Sequence, residues 1–221
     1  DWDTRMSLLA AWSETASALG GPLAPNVASP HSTYLVSPTH LAEIREALRA
    51  WNTPVLHTHV SETLAENAEV YAGHASTPTR MLADAGILDG SFPVVFGHGI
   101  HLDDTDVRLA AEANVTIAHC PGSNLKLASG ALSWSKMRAA GVRLGIGTDG
   151  CSSSNDLDMW SAVRLSALLS RLTTDRPDAT TAYEILRAAT VSGAEALGIG
   201  HLVGTIEVGK QADLVLLDLD A

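Results

Sequence analysis

Residues 92–119, Phe92-Pro-Val-Val-Phe-Gly-His-Gly-Ile-His-Leu-Asp-Asp-Thr-Asp-Val-Arg-Leu-Ala-Ala-Glu-Ala-Asn-Val-Thr-Ile-Ala-His119, carry the reading on which the fold turns. Phe92 to Gly97 is a short apolar run with the length and composition of a buried strand. Asp103 to Ala113 has helical spacing behind an acidic start, and Val115 to Ala118 is a second apolar strand. Strand, helix, strand at this spacing is the unit of a parallel sheet. Each strand is followed at once by a histidine, His98 and His119.

The same alternation extends in both directions. Upstream, Met6, Leu9, Ala10, Ala16 and Leu19 predict a helix over residues 5–19 that stops at Gly20-Gly21-Pro22. Leu23 to Pro30 is extended. Ser37-Pro38-Thr39 starts a helix from Leu41 to Trp51, with Leu41, Ile44, Ala47, Leu48 and Trp51 on one face. Pro54 to His59 is a strand, and Leu64 to Gly86 is helical with a break near Thr77-Pro78. Downstream, Ser133 to Ala140 is a helix, Val142 to Thr148 a strand, Asp156 to Leu172 a helix and Tyr183 to Leu197 another. A final β segment runs from Gly204 to Val215.

Five strands each followed by a helix predict a parallel sheet covered by helices, either doubly wound or closed into a barrel. Polar residues just after several different strands, namely His31, His59, His98, His119 and Asp149, favour the barrel, where many strand ends converge on one site. A (β/α)8 barrel needs eight strands and about 250 residues, so the chain reads as roughly its C-terminal five-eighths. It starts at Asp1 without an initiator Met and stops after a strand-like run with nothing to pair it, both expected of a piece of a longer protein.

Composition narrows the function. The 221 residues are 46% apolar, enough for a large core, and 14 basic against 25 acidic residues leave a net charge of −11. That balance argues against a nucleic-acid or anionic-membrane partner and points to a small-molecule substrate. Cys120 and Cys151 lack a CxxC spacing and predict ordinary thiols in a reducing, cytoplasmic setting. No apolar stretch approaches the roughly 20 residues of a membrane helix, and homo-oligomerisation is left open.

Three strand ends can do chemistry. In His57-Thr-His59-Val-Ser-Glu62, alternation puts both histidines on one side, with a carboxylate at the start of the next helix; a metal site or a hydrogen-bonded loop both fit. In Gly97-His98-Gly99-Ile-His101, His98 ends the strand and faces the barrel mouth, whereas His101 caps or packs near the next helix. Asp149, in Gly145-Ile-Gly-Thr-Asp149, can bind a metal through one oxygen and accept a proton through the other. The competing reading, a helix N-cap, is better filled by Ser153, Ser154 or Asn155. His31 can contact substrate or occupy a turn. Ser123 and Asn124 line the pocket or serve as loop caps. His40, His74 and His201 read as solvated or structural.

Taken in order, His59-Val-Ser-Glu62, Gly97-His98-Gly-Ile-His-Leu, His119-Cys-Pro-Gly-Ser-Asn-Leu-Lys-Leu-Ala-Ser-Gly130, Gly147-Thr-Asp149-Gly-Cys-Ser-Ser-Ser-Asn-Asp-Leu-Asp158 and Gly204-Thr-Ile-Glu-Val-Gly-Lys-Gln-Ala-Asp-Leu214 resemble the amidohydrolase superfamily. The likeness is to its methylthioadenosine/S-adenosylhomocysteine deaminases and chlorohydrolase-like aminohydrolases. It implies a partial metal-dependent hydrolase barrel over residues 1–200 and the start of a composite β-sandwich over 201–221. It implies His59 and Asp149 as ligands of one Zn²⁺, and Glu62, His98 and Asp149 as the catalytic groups. With His31, these three would contact substrate. The His-x-His pair that completes the family's metal site is absent, because His57 and His59 belong to the fifth strand. The implied reaction is hydrolytic deamination of an adenosine derivative or related heterocycle with release of ammonia. Deaminases of oxidised guanine or pterins, triazine hydrolases and a catalytically incomplete piece are the alternatives.

Overall fold

The structure, a computed structural model, describes residues 1–19 and 26–218. In chain order the elements are α1 (Trp2–Leu19), β1 (Asn26–Ala28), α2 (Pro38–Arg49), β2 (Pro54–Val60), α3 (Leu64–His74) and α4 (Pro78–Asp84). There follow β3 (Val94–His98), α5 (Asp104–Glu112), β4 (Thr116–His119), α6 (Pro121–Lys126), α7 (Trp134–Ala139) and β5 (Arg143–Ile146). The remainder is helical: α8 (Cys151–Ser154), α9 (Met159–Leu172), α10 (Ala182–Ala189) and α11 (Val191–Ala196).

Local chemistry explains the boundaries. Ser37 caps α2 by accepting from the His40 amide, Pro38 occupies the first turn, and Leu41, Ile44 and Leu48 make its buried stripe. Asp103 and Asp106 form a capping box at α5, and Thr181 and Glu184 form another at α10. The break expected near Thr77-Pro78 separates α3 from α4, with Thr77 as N-cap and Ala75 in the left-handed region.

The five strands form one all-parallel sheet in sequential order, β1-β2-β3-β4-β5. Leu56 pairs with Val94 and His59 with Gly97; further on, Ile117 pairs with Leu144. Alternation divides the side chains between two layers. Ala28, Leu56, Val60, Phe96, Ile117 and Leu144 face the helices and join Leu48, Leu82, Met137 and Ile185 in the main core. Val27, Val55, Val95 and Ala118 face the other side and pack with Ala196 of α11. The result is an α/β fold with a parallel sheet of the kind found in part of a (β/α)8 barrel.

Four expectations change. The single helix over 183–197 is two helices, because Thr190 leaves helical geometry between α10 and α11. The helix over 156–172 begins at Met159 with Asp158 as its N-cap, and Ser153 and Ser154 lie instead in the separate turn α8. Among the described residues, no strand forms over 204–215: a strand exists only with a partner to bond, and Leu214, Val215 and Leu216 are exposed there. His119 does not join the other strand-end residues. It lies on the helix-facing side of β4, 1% exposed, with its ring edge-on to Trp134 at 5.9 Å. The predicted stop at Gly20-Gly21-Pro22 lies outside the described residues.

Candidate active site

The site is assembled where β2, β3 and β5 end. Alternation leaves His59 on the inner face with Val55. The His59 amide donates to the His31 carbonyl at 3.1 Å, and the ring atom Nδ1 lies 2.5 Å from the same oxygen. A carbonyl only accepts, so Nδ1 is the donor in this contact and Nε2 is the nitrogen it leaves unengaged. The His31 ring stands 4.6 Å from that of His59, centroid to centroid.

Beyond β2 the chain turns sharply at Ser61, whose φ is 51°. Glu66 holds that turn: its Oε1 accepts from the Ser61 amide at 3.0 Å and its Oε2 from the Glu62 amide at 2.7 Å. Burial pushes the Glu66 pKa above the usual carboxylate range, and these backbone hydrogen bonds offset it only in part.

His98 ends β3. Strict alternation would leave it beside Phe96 against the helices, but its φ of 68° breaks the alternation and turns the ring toward the strand ends. It is 2% exposed and stacks on His59 at 5.5 Å. His98 Nδ1 lies 2.8 Å from Asn124 Oδ1, which fixes the proton on Nδ1 because that oxygen only accepts. Nε2 then faces two carboxylates, Glu62 Oε2 at 3.7 Å and Asp149 Oδ2 at 4.0 Å.

Asp149 also has positive φ, 64°, and its Oδ1 accepts from the Gly150 amide at 2.7 Å. It caps no helix; Gly150 is the N-cap of α8. Burial works to raise its pKa but is outweighed by the Ser123 hydroxyl, the Gly150 amide and, in their protonated forms, His98 and His59, so the group sits below the usual carboxylate range. The Ser123 contact acts without a hydrogen bond of normal geometry, for that buried hydroxyl is otherwise unpartnered.

Other predicted residues take different places. His31 is exposed and borders a cavity of about 310 Å³ beside β1, lined also by Trp2, Arg5, Met6, Leu9 and Leu35. His101 caps nothing: its amide donates to the Ser61 carbonyl at 2.9 Å and its Nε2 lies 2.7 Å from the Ser129 carbonyl. His57 is exposed on the open inner face. Burial and the nearby Asp149 push the Cys120 thiol up to about 12, which removes it as a nucleophile at neutral pH.

The segment that sequence reasoning undervalued is α6 and the residues after it. Asn124 orients His98, Ser129 Oγ donates to Glu62 Oε1 at 3.1 Å, and Lys126 Nζ donates to Ser152 O at 2.7 Å and Asn155 Oδ1 at 2.6 Å. As a sequence these are turn formers and caps. Their position in a run that follows a strand-end histidine was the available signal.

Among the described residues, no group of three or more His, Cys, Asp or Glu side chains is arranged to hold a metal ion. Two donors nevertheless have the right chemistry: His59, whose Nδ1 is anchored by a carbonyl and whose Nε2 that contact leaves unengaged, and Asp149, held below the usual carboxylate range.

The amidohydrolase family pattern matches residues 4–221, and the chain belongs to that family. A 5-methylthioadenosine/S-adenosylhomocysteine deaminase of Moorella thermoacetica is 43% identical over 199 residues, which cover 90% of this chain and 44% of the relative. The protein of the same name from Pyrococcus furiosus is 37% identical over 206 residues, 93% of this chain and 48% of the relative. Among solved structures, a zinc-bound adenosine deaminase from Xanthomonas campestris superposes with a TM-score of 0.89 at 36% identity, covering 96% of this chain and 47% of that one. The zinc complex of atrazine chlorohydrolase TrzN from Arthrobacter aurescens gives 0.74 at 26% identity, with 83% and 40% covered. The chain thus spans somewhat less than half the length of the relatives it matches. Among the described residues, no helix is long and apolar enough to cross a membrane.

Proposed function

We propose that this chain carries part of the catalytic centre of a cytoplasmic, metal-dependent hydrolytic deaminase whose substrate is an adenosine derivative of the 5′-methylthioadenosine/S-adenosylhomocysteine type. The observation that carries the reading is the convergence of Glu62 and Asp149 on one nitrogen of His98, within 4.0 Å, in a chain 43% identical to a deaminase of that name. In this reading residues 1–200 correspond to barrel strands 4 to 8 with their helices, and 201–221 enter a small β-sandwich.

His59 Nε2 and Asp149 would hold one Zn²⁺ together with histidines from outside this chain. The metal supplies, when bound, the acidity that makes water nucleophilic near neutral pH, its pKa falling to about 7. The rest falls to this chain's side chains. In its neutral form His98 accepts at Nε2 a hydrogen bond from the attacking water and aligns it. Asp149, ionised, takes the proton that the water loses. Glu62 in its acid form protonates a ring nitrogen, so that the attacked carbon becomes electrophilic. A C–O bond forms, the C–N bond to the exocyclic amine breaks, the amine leaves as ammonia with the proton from Asp149, and the remaining hydroxyl proton passes to Glu62, which restores its acid form and leaves a ring carbonyl. His31 would touch the substrate from the neighbouring strand end.

Elemental analysis and an ammonia-release assay on the full-length protein and on the 221-residue chain test this reading. About one zinc per full-length chain, little in the short chain, and ammonia from 5′-methylthioadenosine are expected. Chloride release from atrazine without ammonia from adenosine derivatives would move the assignment to a chlorohydrolase, and absence of metal from both samples would end it.

A further inference from the structure

Ser129 is separated from Glu62 by 67 positions, yet its hydroxyl donates to Glu62 Oε1 at 3.1 Å. Ser129 is itself held on both sides. Its amide donates to the Asn124 carbonyl at 2.9 Å, its carbonyl meets His101 Nε2 at 2.7 Å, and the side chain is nearly buried at 7% exposure. The next residue, Gly130, has φ of 131°, and a Cβ there would come within 3.0 Å of Ile100 and 3.3 Å of the His101 ring. The loop therefore lies directly on residues 100 and 101. His101 in turn donates its amide to the Ser61 carbonyl, one residue before Glu62.

These contacts close a ring: Glu62 Oε1 to Ser129, Ser129 to Asn124 through the backbone, Asn124 Oδ1 to His98 Nδ1, and His98 Nε2 back to Glu62 Oε2 at 3.7 Å. The carboxylate has two oxygens and the ring gives them different work. One is occupied by a fixed donor and the other faces His98 and, past it, Asp149.

We propose that Ser129 is a positioning residue for Glu62: by occupying Oε1 it makes Oε2 the oxygen that carries and delivers the proton at the reacting centre. This rests on the deaminase reading for the identity of the reaction, but not for the geometry. A loop serine that merely satisfied its own hydrogen bond would have no such effect, since its loss would leave Glu62 in place, held by the Glu66 turn alone. The same ring implies that Ser129 contributes to turnover only through Glu62, so its contribution vanishes when Glu62 can no longer hold a proton.

The test uses the full-length, zinc-loaded protein as wild type, Ser129→Ala, Ser129→Thr, Glu62→Gln and the Ser129→Ala/Glu62→Gln double variant. Crystal structures are read first: Ser129→Ala is expected to swing the Glu62 carboxylate away from His98, and Ser129→Thr to retain it. Ammonia release from 5′-methylthioadenosine is read second. Ser129→Ala should lower kcat about 10- to 100-fold with KM changed less than about threefold, Ser129→Thr should recover most of the rate, and the alanine should cost less than about twofold in the Glu62→Gln background. Glu62 unmoved in Ser129→Ala, or an alanine cost equal in both backgrounds, would overturn the proposal. If the wild type releases no ammonia while Glu62 swings in Ser129→Ala and stays in Ser129→Thr, the deaminase reading falls and the positioning role stands.

Discussion

Ser61, His98 and Asp149 share a feature that ordinary strand ends lack: a left-handed backbone on a residue other than glycine. Each such residue costs about 1 to 3 kcal/mol and persists only where its surroundings over-determine it. Here the Glu66 carboxylate, the Asn124 amide oxygen and the Gly150 amide do so. Residue identity at these strand ends was legible in the sequence; the reversal of His98 from the helix side to the site was not, since it depends on a dihedral. His119 shows the opposite outcome. Burial, with a smaller contribution from His98, lowers its pKa to about 4, so it is neutral in the fold at physiological pH. An unfolded histidine titrates near 6.5, so the unfolded chain binds the extra proton between those values, and stability is full above about 6.5 and falls on acidification. In the full-length protein, urea midpoints should fall between pH 7 and 4.5 by an amount equivalent to roughly 2 kcal/mol for this group, and His119→Leu should remove that part of the slope. An unchanged slope in the leucine variant would place the titration elsewhere.

At the level of elements, α6 does more than its six residues suggest. Pro121-Gly122-Ser123-Asn124 has the composition of a turn, and the sequence reading treats it as loop with caps; the fold uses Pro121 in the first helical turn and continues to Lys126. One end orients His98 and the other clamps the segment after Asp149 through Lys126. Lys126→Met should therefore loosen α8 without touching the strand ends directly. Hydrogen exchange of the amides at 153–155 should rise at least about tenfold while β3 and β5 keep their protection. Unchanged exchange at α8 would mean that packing alone holds it. The split of residues 183–197 into α10 and α11 belongs to this scale too, because the apolar period continues through Thr190 and only the dihedrals show the break.

Across the whole molecule, β1 and β5 are the two edges of the described sheet, and its inner valines form a small cluster with Ala196 of α11. Parallel sheets are stable when both faces are covered, and barrels remove edges by closing. Leu214, Val215 and Leu216 add exposed apolar surface. The isolated 221-residue chain is therefore expected to self-associate. Size-exclusion chromatography with light scattering should show large or polydisperse species, and co-expression with the remaining segment of the full-length protein should give a monodisperse complex. A monomer with one cooperative unfolding transition would mean that the half-barrel is self-sufficient.

The sequence by itself determined the alternation of strands and helices, the parallel sheet and the strand-end positions of His59, Glu62, His98 and Asp149, because periodicity and strand termination are local properties of the chain. Only the tertiary structure decided which nitrogen of each histidine is free, that His119 turns away, and that Ser129 and Asn124 link Glu62 to His98. The histidine nitrogens and the Ser129 and Asn124 links depend on hydrogen bonds between residues 26 to 67 positions apart, which close only when the sheet brings the strand ends together, and His119 turns away because its ring packs against Trp134 in the core.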